Sequence, residues 1–193
     1  FADKMSFPMG ALWHKDALFV ASPPSIWKLE ETKGTGIADR RTELVTKFGF
    51  TGNAADIHGP FLGPDGWLYW CDGRHGHNIK KPDGTTMQGK AARIFRCKSD
   101  GSGVEVVCGG GMDNPVEIAF TSEGEPFFTV NIIHTQPARN DAICFALDGA
   151  VYPWHDVYKE FPRTGDLMPT IENLGWVAPS GLMRYQSGAF GAD

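Results

Sequence analysis

Two short stretches place ionisable side chains at spacings that could do chemistry. In Arg74-His75-Gly76-His77 the two histidines stand at i and i+2, so on an extended strand both imidazoles point the same way and could offer nitrogens to a metal ion. No carboxylate or cysteine is directly adjacent to complete a ligand set. A glycine-rich loop of this kind reads equally as a solvated turn, so no residue is assigned as a metal ligand. Glu31-Thr32-Lys33-Gly34-Thr35-Gly36-Ile37-Ala38-Asp39 has the outline of an Asp-x-Asp-x-Asp-Gly calcium loop, which makes calcium a candidate ion there. Lys33 and Thr35 occupy places that want carboxylates, and calcium affinity follows ligand charge and number, so the loop is expected to stand without its ion. The four cysteines, Cys71, Cys97, Cys108 and Cys144, form no CxxC, CxxCH or zinc-like quartet, so the chain encodes neither haem attachment nor a structural zinc. Cys97 and Cys108 flank the turn Ser99-Asp100-Gly101-Ser102-Gly103. A hairpin there could bring them near disulfide range, and buried free thiols are the alternative.

These groups need elements to position them, and the elements repeat. An acidic turn followed by an apolar strand occurs at Asp16-Ala17-Leu18-Phe19-Val20, Asp65-Gly66-Trp67-Leu68-Tyr69 and Glu123-Gly124-Glu125-Pro126-Phe127-Phe128. An apolar strand precedes each turn, at Gly10–Trp13, Phe61-Leu62 and Val116–Phe120, and a fourth opening of that kind stands at Pro179-Ser180-Gly181-Leu182-Met183. Third strands follow at Ile26–Leu29, Ile94–Cys97 and Ile143–Ala146, and fourth strands at Glu43–Thr46 and Val104–Val107. Four antiparallel strands repeated every fifty to sixty residues describe the blades of an all-β propeller, with units near 7–55, 56–112 and 113–175 and another starting at 176–193. An all-β sandwich with similar-looking strands is the alternative. The recurring order of strand, acidic turn, strand, long loop, strand, turn and strand favours the propeller.

Connections in an up-and-down blade emerge at alternate ends. The short turns Pro64-Asp65-Gly66 and Ser99-Asp100-Gly101 therefore share one face, and the longer segments 72–90 and 131–141 share the other. His58 and Asp113-Asn114 stand at the unit crossings, where an innermost strand begins on that richer face, and loops on a rigid scaffold are where function concentrates. Trp13, Trp27 and Trp67 sit at strand positions and read as packing between blades; Trp154 and Trp176 are left open.

Composition agrees with many short strands. Glycine and proline (24 and 13) supply turns, and 41% hydrophobic residues suffice for a packed core. A net charge of −5 gives no footprint for gripping nucleic acid, and no apolar run reaches the roughly 20 residues of a membrane-spanning helix. The chain begins without methionine and stops just after a hydrophobic pattern restarts, which suggests a piece of a larger propeller.

Gly63-Pro64-Asp65-Gly66-Trp67-Leu68-Tyr69 preceded by His58, then Asn114-Pro115, then Asn140-Asp141-Ala142-Ile143 running to Gly149-Ala150-Val151-Tyr152-Pro153-Trp154, resembles the soluble glucose/sorbosone quinoprotein dehydrogenases. Gly109–Glu117 and Gly175–Leu182 resemble the propeller region of large bacterial proteins described as membrane-bound dehydrogenases, often fused to a c-type cytochrome. The resemblance implies a six-bladed propeller that oxidises a sugar or other alcohol with pyrroloquinoline quinone, passes electrons to a cytochrome, and resides in the periplasm or outside the cell. It implies His58 as general base, an imidazole having a pKa near working pH. It implies Asn114, Trp176 and Ala178 at the cofactor. That family places arginine immediately before the asparagine. Asp113 stands there in this chain and would repel a tricarboxylate, unless a basic residue compensates. Arg74 and Arg139 are the nearest candidates by topology. A non-catalytic propeller that binds a glycan or a partner domain through the same face is the competing expectation.

Overall fold

In the computed structural model of the chain, residues 1–81, 83–134, 140–153 and 156–191 are described. Among them strands dominate, and the only helical segments are two short 3-10 turns, Asp156–Glu160 and Gly188–Phe190. No helix among the described residues is long and apolar enough to cross a membrane.

The first sheet is an antiparallel meander of β1 (Ala11–His14), β2 (Ala17–Ser22), β3 (Ser25–Glu30) and β4 (Arg40–Thr46), in that order. The second repeats it with β5 (His58–Leu62), β6 (Leu68–Asp72), β9 (Ala92–Cys97) and β10 (Glu105–Gly111). Between β6 and β9 the long loop expected from the sequence contains a separate hairpin of β7 (His77–Lys80) and β8 (Thr86–Gly89). The third sheet consists of β11 (Asn114–Phe120), β12 (Pro126–His134), β13 (Asn140–Phe145) and β15 (Glu172–Gly175). β14 (Val151–Pro153) leaves that order to pair parallel with β10, so the second sheet carries a fifth strand that the sequence does not suggest.

The sheets pack in chain order because the middle one is apolar on both faces. Successive strand residues point to opposite faces. Leu68 and Trp70 of β6 and Phe95 and Cys97 of β9 meet Phe19, Ile26 and Val45 of the first sheet. Tyr69 and Cys71, with Ile94 and Cys108, meet Ile118, Phe128, Val130 and Cys144 of the third. All five residues of β6 are buried. Trp70 stacks on Phe95, with ring centroids 5.4 Å apart and planes 10° from parallel, and Phe48 closes on both edge-on. This fully buried tryptophan carries the inter-sheet packing expected of its neighbours. Trp13 is exposed, Trp27 is half-buried on the far face of the first sheet, and Trp67 packs at the rim of the second core under the cations of Arg96 and Lys98.

The first strands β1, β5 and β11 contact one another in succession. β5 and β11 share an irregularity. Between His58 and Phe61, and again between Pro115 and Ile118, the first strand advances three residues while its partner advances two. One extra residue bends a strand and increases its twist, so both β5 and β11 are bent near their tops.

The strand register decides between the two readings open for the cysteines. In the β9–β10 register Cys108 opposes Ile94, while Cys97 lies three residues further along β9, so the thiols are not opposite one another and all four cysteines are free and buried. The turn forms as expected, but Glu105 pairs with Arg96 at its end, so the strand position opposite Cys97 is Val104 and Cys108 lies four residues beyond it. Among the described residues, 176–187 form no strand, so the apolar run at Pro179–Met183 pairs with no sheet here.

Trp70→Ala should cost about 3–5 kcal/mol in urea denaturation, the range for deleting a large buried aromatic. A thiol reagent should modify all four cysteines in denaturant and essentially none in the native chain.

Candidate functional site

The top ends of β5 and β11 bring His58 and Asn114 together. His58 is 6% exposed and Asn114 4%. His58 Nε2 lies 2.7 Å from the Ala54 carbonyl oxygen and 3.0 Å from Asn114 Oδ1. A carbonyl only accepts, so Nε2 carries the proton and donates, and the neutral ring keeps its lone pair on Nδ1. Neither Nδ1 nor Asn114 Nδ2 makes a hydrogen bond among the described residues. Burial holds the His58 pKa below its usual value, and the hydrogen bonds to Ala54 and Asn114, together with the charge of Asp56, oppose that shift.

Asp56, two residues before His58, shapes the crossing before it. Its carboxylate accepts from the backbone N–H groups of Thr51, Gly52 and Asn53 at 2.9–3.0 Å, folding the 51–56 turn that presents the Ala54 carbonyl to His58. Gly73 lies against this turn. A Cβ there would overlap the Ala55 carbonyl oxygen, so glycine is what lets the 72–76 segment close down beside it.

That approach delivers Arg74 to Asp113. Arg74 Nη1 donates to Asp113 Oδ1 at 2.6 Å, from a guanidinium 44% exposed to a carboxylate 5% exposed. The basic residue that the sequence requires beside Asp113 is therefore supplied by a different sheet. The guanidinium's Nε and Nη2 make no hydrogen bond among the described residues. Arg139 and Trp154 lie outside the described residues.

Trp176 and Ala178 reach the same rim through Asp141 but not the His58–Asn114 pair itself. The fully buried Asp141 carboxylate accepts from Ile132 N (2.8 Å), Val177 N (3.0 Å) and Ala178 N (2.7 Å). The Ile132 carbonyl accepts in turn from Asp113 N. Trp176 stands 76% exposed, and Ala178 sits in the left-handed region at φ 50°. Asp141 is the main positioning residue to which the sequence assigns no role, although it falls within Asn140-Asp141-Ala142-Ile143. Its signal is a carboxylate at the start of a third strand, next to a long top loop. Asn131, opposite Asn114 in the register, has its Oδ1 buried without a partner.

The metal reading of the His75/His77 pair fails on geometry. His75 Nε2 turns to the Thr51 hydroxyl at 3.2 Å, while His77 Nδ1 turns to Asp72 Oδ2 at 3.1 Å, because Gly76 at φ 73° breaks the alternation that would have aligned them. Burial presses the His77 pKa down to about 4 and lifts the wholly buried Asp72 well above the carboxylate range. Among the described residues no group of three or more His, Cys, Asp or Glu side chains is arranged to hold a metal ion. The Glu31–Asp39 loop does not fit calcium either. Glu31 accepts from Lys33 N and Thr35 N, Asp39 accepts from Thr32, and Lys33 Nζ lies 3.4 Å from Asp39 Oδ2, where its ammonium supplies the positive charge.

Residues 1–157 match the family described as "Domain of unknown function (DUF7133)". The chain belongs to this family. No curated protein matches it. Among solved structures, it is similar to the PQQ-bound form of aldose sugar dehydrogenase from Streptomyces coelicolor, at 16% identity and a TM-score of 0.44 over 95% of this chain and 73% of that one. A protein of Thermus thermophilus, provisionally named as an oxidoreductase (glucose dehydrogenase), is similar at 13% identity and a TM-score of 0.39, over 88% and 70% of the two chains.

A buried imidazole held neutral gives a pH test. His58 should titrate below its ordinary 6.5 in the folded chain, with histidine NMR reporting a proton on Nε2. Because protonation is disfavoured in the native state, its contribution to stability is complete above pH 6.5 and is lost as pH falls toward the lowered native value. A midpoint at or above 6.5 would contradict the burial that sets the direction of this shift.

Proposed function

We propose that the three sheets are blades of a quinoprotein-type β-propeller whose top rim oxidises a sugar or other alcohol, with His58 as the proton acceptor. The observation that carries the reading is the His58–Asn114 contact, which joins two residues 56 positions apart with the imidazole proton fixed on Nε2. A hydroxyl placed against Nδ1 would give up its proton there. Burial serves this role by keeping the imidazole uncharged, as a base must be. The Ala54 carbonyl orients the ring and stabilises the imidazolium that forms.

The residues present fit pyrroloquinoline quinone, the cofactor implied by the sequence resemblance. Asn114 Nδ2 and the open Nε and Nη2 of Arg74 are donors suited to its oxygens. Asp113, which would repel its carboxylates, has its charge neutralised by Arg74 at 2.6 Å. When bound, the quinone supplies the acceptor for the hydride that leaves the carbinol carbon. The remaining assignments of this proposal are a c-type cytochrome as the onward electron acceptor and a periplasmic or extracytoplasmic location, and both rest on the sequence resemblance.

A second reading, a non-catalytic propeller that binds a glycan or a partner domain through this rim, is favoured by the same ion pair. A guanidinium spent on its own chain's aspartate leaves the rim without the net positive charge that a tricarboxylate prefers.

Titrating the chain with the quinone, then assaying sugar-dependent dye reduction, separates the two. The dehydrogenase reading expects saturable binding, a rate lowered about a hundredfold or more in His58→Ala with quinone binding retained, and affinity about tenfold weaker in Arg74→Met. Absence of both binding and dye reduction, together with glycan binding that survives His58→Ala, would establish the second.

A further inference from the structure

A second polar site lies on the same face, outward from the rim, between the β7–β8 hairpin and the 3-10 turn at Asp156–Glu160. There a groove of about 610 Å3 is lined by His77, Asn78, Gln88, Lys90, Arg93 and Glu160. One carboxylate fills its inner end. Glu160 accepts from Lys90 N at 2.9 Å, Ala91 N at 3.3 Å and Arg93 Nη2 at 2.9 Å. Two backbone N–H groups and a guanidinium converging on one point make a receptor for a carboxylate, whichever molecule carries it.

The surrounding sequence keeps room for this arrangement. Gly89 is not at positive φ, so its backbone does not demand glycine, yet a Cβ there would overlap Arg93 Nη2 and come within 2.8 Å of Glu160 Oε2. At Gly109 a Cβ would come within 2.6 Å of Phe161, whose ring lies under the Arg93 guanidinium at 4.4 Å. Beside the receptor two buried polar atoms lack any partner. They are His77 Nε2, on a side chain with no exposure, and Arg93 Nε, on one 10% exposed. A buried polar atom left unpaired is costly, so a wall that keeps two of them beside a groove is built to meet a polar ligand.

We propose that this groove is a second binding site, for a carboxylate that carries hydroxyl groups, the chemistry of a sugar acid, and that Glu160 is its tethered stand-in. The receptor of Lys90 N, Ala91 N and Arg93 takes the ligand's carboxylate. His77 Nε2, Arg93 Nε and the side-chain amides of Asn78 and Gln88 take its hydroxyls. Both parts are needed, because a tethered carboxylate competes at a high effective concentration and a ligand that offers only a carboxylate does not displace it. The site is independent of His58 and of any quinone.

The test is amide NMR of the whole chain, following Lys90 and Ala91, with acetate, gluconate and glucose as probes at constant ionic strength. In Glu160→Ala the vacated receptor should bind acetate saturably and gluconate at least tenfold more tightly, while glucose leaves both amides unmoved. In the unsubstituted chain gluconate should still bind, more weakly, and acetate should not. Arg93→Met should abolish binding in either background. If Glu160→Ala does not fold, Glu160→Gln serves, read as a rise in Tm with gluconate over glucose. The proposal is overturned if no carboxylate moves Lys90 and Ala91 in a folded Glu160 variant, or if glucose moves them as gluconate does.

Discussion

The middle sheet is buried on both faces, and everything described at the rim depends on that. β6 has no solvent side: Leu68 and Trp70 belong to one inter-sheet core, Tyr69 and Cys71 to the other. A sheet in that position must lie between its sequence neighbours, which sets β5 between β1 and β11. Bulges in the upper parts of β5 and β11 then bend both first strands by one residue. His58 and Asn114 meet because two cores and two bulges agree, and no local contact between them could have done this alone.

Charge at the rim is handled inside the chain before any ligand arrives. Asp56 and Asp141 are buried to 1% and 0% exposure, and each is surrounded by three backbone N–H groups. Such groups offset part of the cost of burying an anion while tying down the segments that supply them. Asp56 thereby fixes the crossing into β5, and Asp141 joins the top of β12 to the segment after β15. Asp113 is treated differently, by a side-chain cation rather than by fixed dipoles. Its partner Arg74 is 44% exposed, so this is a buried rim carboxylate whose neutralisation is open to solvent and to exchange with a ligand.

Much of this was legible in the residues. The turns at Asp16, Asp65 and Glu123 and the period between them located the first two strands of each sheet, because an acidic turn before an apolar run is a local signal. His58, Asn114 and Arg74 were placed together by loop order alone. What could not be read depended on register or on a partner distant in sequence. Cys97 and Cys108 miss each other because the hairpin register sets Glu105 against Arg96, which leaves Cys108 well past the position opposite Cys97. His75 and His77 obey strand alternation only if Gly76 stays extended, and it does not. β14 pairs with β10 across forty or so residues through three backbone positions, Gly109, Gly110 and Gly111, that have no side chains to advertise the contact.

The exchange of positions at Asp113 and Arg74 is where sequence resemblance and physical structure diverge most usefully. The resemblance expects a cation directly before Asn114, on the same strand and fixed in space. Here that place holds an anion, and the cation comes from the loop after β6, across the boundary between the second and third sheets. The pair is neutral where a lone arginine would be positive, but it also couples the two sheets at the top of the rim. Among the described residues Arg74 makes no hydrogen bond at Nε and Nη2 while Nη1 is held, so an anionic ligand could engage the guanidinium without breaking the ion pair, whereas a neutral ligand would find the field already cancelled. The chain has therefore exchanged raw attraction for a guanidinium already oriented by its aspartate. A guanidinium held at one nitrogen loses less freedom when the others bind, and that saving offsets part of what the missing net charge forfeits.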